Sequence, residues 1–72
     1  MGYYVIGHSF VSVFSCNKKV AEYIHKCMHA SVFKRKERFC VCFGRYDAEQ
    51  DARAKCNELK ASGINTRVVK GE

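Results

Sequence analysis

Hydrophobic positions along this chain switch repeatedly between a period of two and a period of about 3.6, the marks of strand and helix. The opening "YYVIGHSF" (3–10) is rich in β-favouring residues and predicts a strand; "VSVFS" extends it or forms a loop. From Asn17 the spacing becomes helical. Val20, Ile24 and Cys27, flanked by Ala21 and Met28, predict an apolar stripe, with Asn17 or Ser15 as cap and a Glu22–Lys26 pair one turn apart. Residues 31–34 read as a short strand that turns through a basic run into "RFCVCF" (38–43). There Phe39, Val41 and Phe43 share one face, while Arg38, Cys40 and Cys42 share the other.

A second helix follows, with better punctuation. Asp47 is placed to cap it and Gln50 stands at the third position of a capping box. Ala48, Ala52, Cys56 and Leu59 make its buried stripe, and Glu49, Asp51 and Lys60 agree with the helix dipole. Gly63 is placed to end it in a left-handed conformation, and "INTRVV" (64–69) supplies the last strand. The order is strand–helix–strand twice over, in one domain (1–72) with halves at about 3–34 and 38–70. Such a duplicated βαβ unit predicts an α+β, ferredoxin-like βαββαβ sandwich. Its four-stranded antiparallel sheet would carry both helices on one face.

Composition fits a small folded protein: 72 residues, 47% hydrophobic and 28% charged, without proline. A chain this short buries only about 60% of its unfolded surface. No stretch approaches the roughly 18 apolar residues of a membrane span, and no signal peptide is visible. The net charge of +6 is unevenly placed. Residues 1–45 hold eight Lys and Arg against Glu22 and Glu37, whereas residues 46–72 balance. The densest run is Lys34, Arg35, Lys36 and Arg38. It is either a solvated hairpin tip or an attractor of nucleic acid, an anionic polymer or an acidic protein.

The five cysteines do not form a disulfide framework. Cys40 and Cys42 lie two apart on a strand, about 7 Å between Cα atoms, beyond ordinary disulfide geometry. Cys27 and Cys56 fall on apolar helix faces, so reduced thiols are expected throughout. His25 and His29 have a chelating spacing, but no CxxC pair completes a ligand set, and no metal or other cofactor is expected. No cysteine is paired with a base and no Gly-rich phosphate loop is present, which argues against an enzyme.

By strand alternation, the helix-free face should present Tyr4, Ile6 and His8, then Arg38, Cys40 and Cys42, then Asn65, Arg67 and Val69. An aromatic ring among arginines suits a flat ligand such as a sugar or a nucleobase. RNA-recognition motifs share this element order, but here no glycine follows the basic residue of the expected motif, and Tyr4 is the one candidate stacking ring. A third class is a small intracellular protein, of phage origin for example, that covers a partner protein through the same face.

The "YYVIGHSF" opening resembles the "YYVQVGSF" start of SPOR domains. "RFCVCFGRYDAEQDARAKCNELKASGINTRVV" resembles their second half, which runs from "YRVxVGpF" through a helix to "LKaaG" and a last strand. SPOR domains are non-catalytic bacterial modules that bind peptidoglycan glycan strands stripped of stem peptides, along the helix-free sheet face. The resemblance implies that Tyr4 stacks on sugar, Ser9 bonds a hydroxyl, and Arg38 and Arg67 meet polar or anionic groups. Ile6 stands at the family's frequent glutamine, His8 at its glycine, and Cys40 at a frequent arginine. Tyr4, Ile6, Ser9, Arg38, Cys40 and Arg67 are the candidate ligand contacts. A glycan is the expected partner, with a protein or nucleic acid as alternatives. The expected location is the cell envelope if the chain is an excised domain, and the cytoplasm if it is complete.

Overall fold

The computed structural model describes residues 2–71. Six elements follow in order: β1 (Tyr3–Phe10), α1 (Val13–His25), β2 (Ser31–Arg35), β3 (Arg38–Tyr46), α2 (Glu49–Ala61) and β4 (Arg67–Lys70). The strands form one sheet in the order β2-β3-β1-β4, every neighbouring pair antiparallel. This is the ferredoxin-like βαββαβ arrangement. Val5, Val41 and Phe43 from the sheet pack with Cys16, Val20 and Tyr23 of α1 and with Ala52 and Leu59 of α2. Both helices therefore lie on one face. Tyr23 meets Phe43 edge-on at 5.0 Å between centroids, joining α1 to the centre of the sheet.

α1 begins four residues before the expected Asn17. Ser12 has extended backbone, and its hydroxyl accepts from the Phe14 N–H at 3.2 Å, so it caps the helix ahead of Ser15 and Asn17. The stripe shifts accordingly. Cys16, Val20 and Tyr23 are buried, whereas Ile24 is 56% exposed. Lys19, rather than Lys26, pairs with Glu22, at 3.7 Å. In α2 three residues of the expected stripe, Ala52, Cys56 and Leu59, face the core; Ala48 is the N-cap and stays outside that core, and Asp47 lies one residue further out, so no side chain caps this helix.

The two helices, 13 residues each, end in the same hydrogen-bond pattern. The Gly63 N–H donates to Lys60 and the Ile64 N–H to Leu59, each at 2.9 Å. Cys27 and Met28 repeat those bonds to Ile24 and Tyr23 at 2.9 and 3.0 Å. This Schellman closure needs a left-handed residue just past the helix, which Gly63 supplies at φ 85° and Cys27 at φ 61°. Cys27 thus sits exposed beyond α1, not on its apolar face.

Two irregularities set the faces of the sheet. Between Val5 and Ile6 the pairing jumps from Gly44 to Cys42, and between Ile6 and Ser9 it moves only from Cys42 to Cys40. Each shift places one extra residue in one strand and reverses its alternation beyond that point. Gly7 lies in the second: a Cβ there would come within 2.9 Å of the buried Phe43 ring. The last strand is shorter than expected, so Asn65 precedes β4.

Candidate functional site

The register gives the helix-free face as rows across the sheet. One row runs Ser31, Cys42, Ile6, Arg67; another runs Phe33, Cys40, Ser9; a third runs Arg45, Tyr4, Val69. Arg35 and Arg38 oppose each other at the end of the β2–β3 hairpin, whose turn is Lys36–Glu37. The bulge at Gly7–His8 is what brings Ser9 onto this face. It leaves exposed His8 at the irregularity, where simple alternation would have given it the place that Ser9 holds. The β3 irregularity does the same for Arg45.

This face has an apolar centre of its own. Ile6, Cys40 and Cys42 are buried, to 0%, 3% and 6% exposure, with Tyr4, Phe33 and Val69 packed around them. Tyr4 and Phe33 come from strands on either side of β3 and stack with centroids 4.7 Å apart. The two thiol side chains between them are short enough to be covered by these rings. The expectation that Ile6, Cys40 and Cys42 stand open to a ligand is therefore corrected: Ile6 and Cys42 belong to a covered patch, and Cys40 reaches the surface only as the floor of a furrow. Burial pushes the Cys42 thiol above its ordinary pKa, and the same cause raises Cys16 on the other face. The Cys42 sulfur lies 3.6 Å from the Gly44 carbonyl oxygen.

Beside the patch lies a depression of about 560 Å³ lined by Ser9, Arg35, Lys36, Glu37, Arg38, Cys40 and Arg67. It gathers four of the six candidate contacts, Ser9, Arg38, Cys40 and Arg67, with two cations of the basic run. A second depression, of about 470 Å³, is lined by Tyr4, Phe33, Lys34, Lys70 and Gly71 and shares Arg35 and Lys36 with the first. The two make one furrow over the sheet, rich in cations and, among the described residues, lined by a single acid, Glu37. The ion pairs among the described residues, Lys19–Glu22, Arg53–Glu49 and Lys55–Glu58, all lie on the helices. None engages Arg35, Lys36, Arg38 or Arg67.

Phe33 escaped the sequence reading. Alternation in "SVFKR" places Ser31, Phe33 and Arg35 on one face, but five residues at a sheet edge do not say which face that is. His29 lies past the end of α1, so His25 and His29 do not share a helix face. Among the described residues no three His, Cys, Asp or Glu side chains gather as a metal site, and no helix is long and apolar enough to cross a membrane.

No protein-family model matches this chain, and no curated protein matches it in sequence. Its fold is similar to a solution structure described as the peptidoglycan-binding domain of the B. subtilis cell wall lytic enzyme CwlC. The TM-score is 0.77 at 16% identity, over 100% of this chain and 92% of that one. At this identity the likeness is one of fold, and that fold is the SPOR-like one implied by the resemblance in sequence.

Proposed function

We propose that this chain is a non-catalytic binding module for peptidoglycan and that it holds glycan strands stripped of their stem peptides in the basic furrow of the helix-free face. The observation that carries the reading is the convergence of Ser9, Arg35, Lys36, Arg38 and Arg67 around one depression. Removing a stem peptide frees the lactyl carboxylate of each muramic acid, so a stripped strand is a regular polyanion studded with hydroxyls. Guanidinium forks suit carboxylates, and a serine hydroxyl suits a sugar hydroxyl. Arg35 and Arg38 lie directly opposite, an arrangement that costs stability in a sheet. An anion seated between them removes that repulsion. The described fold of the CwlC domain supports the reading, which places this chain at the cell envelope.

Tyr4 has a role different from simple stacking on sugar. Phe33 occupies one of its ring faces, so the pair acts as a rigid apolar platform bordering the cations. The experiment is a titration of the ¹⁵N-labelled domain with glycan oligomers stripped of stem peptides, followed by amide chemical shifts. Shifts confined to the rows around Ser9, Arg38 and Arg67 support the furrow. Shifts confined to the helices, or none at millimolar glycan, contradict it.

A further inference from the structure

Val11 and Phe14 are 73% and 80% exposed, the two most exposed large apolar side chains among the described residues. Both belong to the corner between β1 and α1. Phe10 pairs with Phe39, next to the Arg35–Arg38 pair, so this corner and the Lys36–Glu37 turn share one end of the molecule. Phe14 is the second residue of α1, and helix side chains lean toward the N-terminus, which directs its ring out past the helix start at that same end. The first turn of α1 contains no acid, leaving the positive end of its dipole uncompensated. Lys18 follows Phe14 by one turn on the same exposed side.

We infer that this end of the molecule docks on an anionic lipid surface, with Val11 and Phe14 entering the headgroup region and Arg35, Lys36, Arg38 and Lys18 meeting lipid phosphates. Exposed apolar side chains that share one end of a molecule with an excess of cations, here against Glu37 alone among the described residues of that turn, are the arrangement of peripheral membrane binding, in which shallow burial and charge attraction act together. A second copy is the weaker occupant. A two-fold contact through this end would set two basic hairpins against each other, and two apolar side chains per chain make a small core for a stable dimer. The inference goes beyond glycan binding and does not depend on it, although both draw on the hairpin cations.

The test is co-sedimentation with vesicles of phosphatidylcholine containing one third phosphatidylglycerol, and with vesicles of phosphatidylcholine alone. The wild type should pellet with the anionic vesicles only. The Val11→Ser/Phe14→Ser variant, whose substitutions lie on the surface, should bind them about tenfold more weakly while keeping its circular-dichroism spectrum and its affinity for stripped sacculi. Absence of vesicle binding overturns the inference, and so does binding that the double variant leaves unchanged, which would be attraction by charge alone. A concentration-dependent dimer that the same substitutions abolish would reassign the patch to self-association.

Discussion

Tyr4 on β1 and Phe33 on β2 stack at 4.7 Å across the width of β3, enclosing the Cys40 and Cys42 side chains beneath them. The helix-free face is thereby partly a core. Tyr4→Ala or Phe33→Ala should destabilise the fold by about 2–3 kcal/mol, since each removes ring–ring contact and uncovers Ile6 and two thiols. Urea titration checks this. A midpoint unchanged in both variants would mean that the rings serve only a ligand. Accessibility gives a second reading: Cys42 should react slowly with a thiol reagent in the wild type and faster in Phe33→Ala.

The sequence carried the order of elements because each helix is bounded by local signals. Gly63 and the Ala48–Ala52–Cys56–Leu59 spacing placed α2 to within two residues. Non-local packing decided what the sequence left obscure. Ser12 captured the cap of α1 once the chain had turned away from the sheet, bringing Cys16 inside and leaving Ile24 outside. The bulges near Gly7 and Phe43 could not be read from alternation, because an extra residue in one strand is defined only by its partner. Ser9 and Arg45 reach the helix-free face for that reason. Burial of Cys40 and Cys42 was hidden likewise, since it depends on rings from β1 and β2.

Cys27 takes a conformation that its counterpart Gly63 adopts without steric cost. Cys27→Gly should stabilise the domain by about 1 kcal/mol, raising Tm by about 5 °C in a chain of this size. Differential scanning calorimetry reads it directly. A lower Tm would show that the cysteine side chain makes contacts worth more than the backbone strain.

Arg35 opposite Arg38 predicts a trade between stability and binding. Arg35→Glu converts a repulsive cross-strand pair into an attractive one and should add about 0.5–1 kcal/mol. The same change reverses charge in the furrow and should weaken glycan binding about tenfold. Denaturation and binding isotherms on one preparation would test both halves, and a variant that loses stability contradicts the account.

Cys16 and Cys42 give the fold an alkaline limit. Burial raises both thiols above the ordinary cysteine range, so the unfolded chain releases these protons first as pH rises. Their contribution to stability is complete below about pH 9 and falls as pH climbs toward the folded values. Tm measured from pH 7 to pH 10.5 should fall less steeply above pH 9 in Cys16→Ala/Cys42→Ala than in the wild type. Parallel curves would show that other groups set the alkaline limit.

The central claim is the basic furrow, and the most direct measurement is co-sedimentation with peptidoglycan sacculi before and after removal of stem peptides. Wild type should be compared with Arg38→Ala/Arg67→Ala, two exposed positions whose loss spares both cores. The account predicts saturable pelleting of the wild type that increases on stripping, weakens with added salt and withstands competing nucleic acid. The variant should keep the wild-type circular-dichroism spectrum and lose most of its binding. Equal pelleting of the two proteins, or displacement of the wild type by nucleic acid, would contradict it.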